Sequence, residues 1–232
     1  MMFYRSIAFD TGGTVLDWHA GLLLELTDIG SWQTIDFDRH DFVNTWRRKT
    51  MKGIVGQMRP DFHMDDVHWR SLAQTIDAFK LPALGDEAMK HLWRGWHRLR
   101  AWPDFPAALA RIRQQIPVVS FTMLPTSLII DVSRLNGLTW DAVISCQMIG
   151  AYKPHPEAYE TAAAWLGLEP KDILMVACHN FDLNAAQDAG FKTAFVRRPD
   201  EWGPAGPPDP LPNRDYDHVF DGFDQLADAL VA

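Results

Sequence analysis

The run Ile7-Ala8-Phe9-Asp10-Thr11-Gly12-Gly13-Thr14-Val15-Leu16-Asp17 decides the fold. Ile7 and Phe9 alternate with small residues as in a buried strand, and Gly12-Gly13 lets the chain turn tightly and present unhindered N–H groups. A helix pattern over 15–29 follows. A carboxylate at the carboxyl end of a strand, above a glycine turn, lies where open α/β sheets bind ligands. Taken alone, Asp10 reads more readily as a helix cap.

The rest of the chain is organised around that strand. Apolar residues at three- and four-residue spacing predict helices over 15–29, 37–56, 65–79 and 86–100, with no strand between them. From Trp102 onward, short β-rich runs (117–122, 142–145, 173–178, 193–196, 217–220) alternate with helices (126–135, 156–166, 182–189, 223–230). The expected fold is therefore α/β, a doubly wound Rossmann-like parallel sheet with an inserted helical cap. Residues 1–17 and 101–232 would form the core and 18–100 the cap. The stretch 198–215, rich in Pro and Gly, is expected to be an irregular surface connection.

Composition narrows the function. A formal net charge of -8 without a basic block argues against nucleic acid as a partner. No apolar stretch approaches a bilayer span and no signal-peptide pattern opens the chain, so no membrane partner is expected. Cys146 and Cys178 form no CxxC, which fits a reducing cytoplasm. A homodimer is the default expectation for such an enzyme. Of the ten tryptophans, Trp18, Trp32, Trp46, Trp69, Trp93 and Trp96 fall in or beside the helical insertion, mainly as packing.

Further segments end near core strands and can handle an anion together with Asp10. Val118-Val119-Ser120-Phe121-Thr122 is a strand ending in a hydroxyl, and Met123-Leu124-Pro125-Thr126 turns into a helix with free initial N–H groups. Lys153 sits in the loop Gly150-Ala151-Tyr152-Lys153-Pro154, and Asp182 follows the strand through Met175-Val176-Ala177-Cys178. Singly, these are a β-branched strand residue, a solvated lysine and a helix N-terminal Asp.

The order Asp10, Thr122, Lys153, Asp182 resembles the four motifs of the haloacid dehalogenase superfamily, over nearly the whole chain. The chain is most similar to the type II, or L-2-haloacid, dehalogenases, through Gly13-Thr14-Val15-Leu16-Asp17, Tyr152-Lys153-Pro154 with Tyr159, and Thr45-Trp46-Arg47-Arg48-Lys49. The resemblance implies that Asp10 is a nucleophile forming an aspartyl ester with a small halogenated carboxylate, which water then hydrolyses to a 2-hydroxy acid. It implies that Lys153 holds Asp10, that Asp182 steadies Lys153 and helps activate water, and that Arg47 embraces the halide beside aromatic neighbours such as Trp46. Thr11, Gly12, Thr122, Met123, Tyr159, His179 and Asn180 are the remaining candidates for substrate binding.

Departures from the pattern separate reaction types. Gly12 stands where phosphatases of the superfamily carry a general acid, and Ala177-Cys178 where they carry a Gly-Asp pair that helps hold Mg²⁺. A hard cation wants oxygen ligands, so no metal and no cofactor is expected. Thr122-Met123 replaces a Ser-Asn pair, and Ala177 and His179 replace a serine and an asparagine of the type II pattern. Two other readings stay open: a phosphatase with an atypical acid such as His179, and a member that binds small acids without turnover.

Overall fold

The computed structural model describes residues 4–55 and 63–231. The expected helix over 37–56 is realised as Arg39–Val55, and its last expected residue, Gly56, lies outside the described residues.

In chain order the elements are β1 (Ser6–Phe9), β2 (Leu16–Asp17), α1 (Trp18–Thr27), α2 (Arg39–Val55), α3 (Met64–Ala78), α4 (Asp86–Arg94) and β3 (Arg100–Ala101). They continue through α5 (Phe105–Arg113), β4 (Val118–Thr122), α6 (Thr126–Asn136), β5 (Ala142–Ser145), α7 (Cys146–Ile149), α8 (Pro156–Leu166) and β6 (Ile173–Ala177). The chain closes with α9 (Asn180–Asp188), β7 (Lys192–Val196), β8 (His218–Phe220) and α10 (Phe223–Leu230).

Six strands form one sheet in the order β5-β4-β1-β6-β7-β8, every pair parallel. β1, β4 and β6 are buried at every position, which suits their near-continuous apolar sequences to the middle of a sheet covered on both faces. The two faces separate cleanly. Phe9 packs on Phe105 of α5 and Phe223 of α10, at 5.4 and 5.9 Å between ring centroids. Phe9 pairs with Ser120, so Phe121 points the other way, where it meets Tyr159 of α8 at 5.5 Å.

The strand order reverses beside β1. The chain runs from β1 outward to β5, then crosses back to place β6 on the other side of β1. Beyond the carboxyl ends of β1 and β6 the connecting segments diverge and leave a crevice, the usual ligand site of such sheets. Asp10 follows β1 there, held by its own N–H to the Val176 carbonyl at 3.0 Å.

Three local expectations are corrected. Residues 15–17 are not helical: Val15 and Leu16 both donate to the Thr11 carbonyl, and Leu16-Asp17 pairs antiparallel with Arg100-Ala101. These two-residue strands bracket α1 to α4 in sequence and are too short to show a period. The helix expected over 86–100 stops at Arg94, ahead of a 3₁₀ turn at Gly95–Arg98. α5 escaped the strand-centred reading although Phe105, Ala108, Leu109 and Ile112 carry helical spacing and are buried. Among the described residues no helix is long and apolar enough to cross a membrane.

Candidate active site

Asp10 is 5% exposed, and its two oxygens are held differently. Oδ2 accepts the Thr14 hydroxyl at 2.8 Å and lies 3.3 Å from His179 Nδ1, while Oδ1 faces the Lys153 ammonium at 3.5 Å. Burial works against the charged form, but Lys153, His179 and Thr14 outweigh it and hold the carboxyl below the usual Asp range. Asp10 is therefore held as an anion.

Lys153 is fully buried and uses all three of its donors. It bonds the Phe121 carbonyl at 2.8 Å and Asp182 Oδ2 at 2.7 Å besides facing Asp10, with its ammonium 4.3 Å from the centre of the Phe121 ring. Burial disfavours its charge, yet Asp182, Asp10 and Cys146 raise its pKa above the ordinary value. Asp182 Oδ1 accepts the Tyr159 hydroxyl at 2.7 Å, so Asp182 has a partner on each oxygen. Tyr159 thus braces Asp182 through its hydroxyl.

The glycine turn and the end of β4 meet through Thr11, whose hydroxyl donates to that of Thr122, and the Thr122 oxygen also accepts from the Leu124 N–H at 3.1 Å. Asp10, Gly12, Thr122, Met123 and His179 line a cavity with about 10 Å³ of water-accessible space. That is room for roughly one water molecule. Arg47 and Phe181 line both this cavity and a neighbouring one of about 250 Å³ walled by Met51, Trp202 and Pro208.

Arg47, from α2, lines the same cavity as Asp10. It is 4% exposed, donates to the Gly12 carbonyl at 3.4 Å, and lies 5.6 and 5.8 Å from the Trp18 and Trp96 ring centres. The aromatic neighbours of the guanidinium are therefore Trp18 and Trp96. Trp46 packs edge-on against Trp96 at 5.6 Å and gives its N–H to the His68 carbonyl.

Beside Asp10 the structure adds residues that sequence reasoning passed over. Glu201 is 1% exposed, accepts the Trp18 Nε1–H at 2.9 Å and lies 3.0 Å from His179 Nε2. Burial raises the pKa of Glu201, but His179, Arg47 and Trp18 bring it below the ordinary value. Thr14 links Asp10 to the Cys178 N–H at 3.1 Å. Arg198 binds the Thr14 carbonyl and, through two nitrogens, Asp104 at 3.0 and 3.1 Å. The connection expected to run over the surface is irregular but partly buried, because Arg198 and Glu201 reach into the site.

Asn180 is spent on that same connection. It bonds Asp209, Leu211 and Asn213 and receives the Tyr216 hydroxyl, and so holds the connection in place.

The donor set does not fit Mg²⁺. Both Asp182 oxygens are engaged, the Lys153 ammonium lies between the two carboxylates, and Cys178 offers sulfur where a hard cation needs oxygen. Cys178, His179 and Glu201 come within 4.8 Å of one another, but they are joined by their own hydrogen bonds. Burial pushes the Cys178 thiol up to about 11, which keeps it protonated, so the group is read as a hydrogen-bonded network.

A family model described as haloacid dehalogenase-like hydrolase matches residues 4–190. The (S)-2-haloacid dehalogenase of Xanthobacter autotrophicus is 32% identical over 203 residues, covering 84% of this chain and 75% of that protein. Haloacetate dehalogenase H-2 of Moraxella sp. (strain B) is 27% identical over 202 residues, covering 84% and 86%. Among solved structures, the defluorinating L-2-haloacid dehalogenase Rha0230 superposes with a TM-score of 0.91 at 31% identity, covering 99% of this chain and 96% of the other.

Proposed function

The chain belongs to the haloacid dehalogenase-like hydrolases, and from that premise we propose that it hydrolyses small 2-haloalkanoic acids to 2-hydroxy acids and halide through an ester on Asp10. The observation that carries the reading is the Asp10 carboxylate itself, held anionic by Lys153, His179 and Thr14 in a small cavity that the buried Arg47 also lines.

Oδ1 of Asp10 is the attacking oxygen, since Oδ2 is held by Thr14 and His179. It displaces the halogen at C2 from the opposite face, inverting that carbon, and the carbon–halogen electron pair leaves with the halide. A halide needs no proton to depart, which fits Gly12 in place of an acid. Arg47, between Trp18 and Trp96 and away from bulk water, stabilises the developing negative charge. Backbone N–H groups at Thr11, Gly12 and Met123 and the Thr122 hydroxyl are the donors assigned to the substrate carboxylate.

We assign residues 18–100 as the cap, hinged at β2 and β3, with 1–17 and 101–232 as the core. The two free, buried thiols fit a reducing compartment, and we assign the cytoplasm.

The test measures halide release from chloro-, bromo- and fluoroacetate and both 2-chloropropionate enantiomers, with EDTA and then with Mg²⁺, for wild type and Asp10→Asn. Halide release that ignores EDTA and vanishes in the variant is expected. Phosphate release from a generic ester only with Mg²⁺, or no turnover of any compound, would replace this reading by a phosphatase or a binding protein respectively.

A further inference from the structure

Alkylation of Asp10 leaves a neutral ester that water must attack, and the attacking water needs a base. Asp182 is poorly placed for this. Lys153 and Tyr159 occupy its two oxygens, and it is fully buried with the Lys153 ammonium between it and Asp10. Among the described residues lining the Asp10 cavity, Arg47 stays charged and Thr122 is a hydroxyl, which leaves His179. Its Nδ1 lies 3.3 Å from Asp10 Oδ2, and its Nε2 lies 3.0 Å from Glu201 Oε1, itself held by Trp18. Resting on the dehalogenase reading above, we propose that His179, oriented by Glu201, is the general base that hydrolyses the Asp10 ester, with Glu201 as its positioning residue.

Charge explains the timing. The groups that face His179 or its partners are Asp10 after β1, Cys178 beside it, Glu201 in the connection after β7 and Arg47 from α2. With Asp182 and Lys153 the site holds three carboxylates and two permanent cations, so a protonated His179 balances it. Burial disfavours that charge, but the carboxylates of Glu201 and Asp10 raise the pKa of His179 well above the ordinary value. Alkylation abolishes the Asp10 charge and with it the anion next to Nδ1. The Nδ1 proton then leaves with the halide, while Glu201 retains the Nε2 proton and so selects the tautomer whose Nδ1 lone pair faces the ester.

The second half-reaction balances from there. Water attacks Asp10 Cγ and gives one proton to Nδ1. The tetrahedral centre collapses, the bond from Cγ to the oxygen bearing the substrate breaks, and that oxygen takes the electron pair and then the proton from Nδ1. Asp10 is left as a carboxylic acid and passes its remaining proton to Nδ1, restoring the starting pair. The sum is haloacid plus water giving hydroxy acid, halide and one proton.

The test mixes 2-bromopropionate with wild type, His179→Gln and Glu201→Gln, following halide by rapid quench and the protein by intact mass and peptide mapping. The His179 variant is expected to release up to one halide per site, accumulate the ester on Asp10, and turn over about 10²- to 10⁴-fold more slowly. The near-isosteric Glu201→Gln is expected to accumulate the same ester and turn over more slowly than wild type. In wild type the rate of ester breakdown should rise with pH and level off, a limb that disappears in His179→Gln. Turnover by the His179 variant without ester accumulation, or equal loss of burst and steady state, overturns the proposal. Wild type releasing no halide from any 2-haloacid would instead overturn the dehalogenase reading on which it rests.

Discussion

Lys153 ties together two carboxylates and a carbonyl that would otherwise lie buried and uncompensated. Removing one partner of a buried ionic set costs more than the set contributes, because the remaining charges stay desolvated. Lys153→Met is expected to lose turnover and to destabilise the fold by about 3–5 kcal/mol at pH 7, read by urea melts. The sign with pH follows from Asp10, whose folded-state pKa is depressed despite burial by Lys153, His179 and Thr14. Its contribution is present above the unfolded value of about 3.9 and is lost as pH falls through the folded one. The gap between wild type and variant should therefore narrow on acidification. A gap that is constant with pH would contradict the ion-pair account.

The elements that carry function here include two with little regular structure, the turn after β1 and the connection after β7. They meet at Gly13, which has φ +98° and whose added Cβ would fall 2.1 Å from Glu201 Oε1. Gly137 also has positive φ, +65°, at the carboxyl end of α6, but its Cβ would point into open space. Gly13→Ala and Gly137→Ala are thus each expected to destabilise by about 1 kcal/mol or more through backbone strain. Only Gly13→Ala should also cut kcat, by dislodging Glu201 from His179; unchanged kcat in Gly13→Ala would remove the link between that close approach and activity. This pair of elements also marks the limit of sequence reading. Gly12-Gly13 is legible because glycines punctuate a chain, whereas Glu201 stands among prolines and glycines with no period to single it out. Its partners Trp18 and His179 are 183 and 22 residues away, so nothing local signals its burial.

At the scale of the whole molecule, alternating β and α patterns reveal a parallel sheet, and Asp10, Thr122, Lys153 and Asp182 are legible because each lies at or beyond the end of a strand, with a turn or helix start alongside. Strand order is another matter. That β6 lies beside β1 is set by how helices pack on both faces, and it is this adjacency that brings His179 to Asp10. The same adjacency explains how a chain of net charge -8 could host the anionic substrate proposed for it. Lys153, Arg47 and His179 converge from separate segments onto one crevice beside the carboxylates there.

The defining step of the proposed reaction is displacement of the halide by the carboxylate of Asp10, not by water. It is tested most directly by a single turnover in H₂¹⁸O with enzyme in excess over 2-chloropropionate, followed by mass spectrometry of the lactate and of the Asp10 peptide. The heavy oxygen is expected to enter the Asp10 carboxylate, with the lactate carrying oxygen from the protein. Heavy oxygen in the lactate, with Asp10 unlabelled, would mean that water attacks C2 directly and would contradict it.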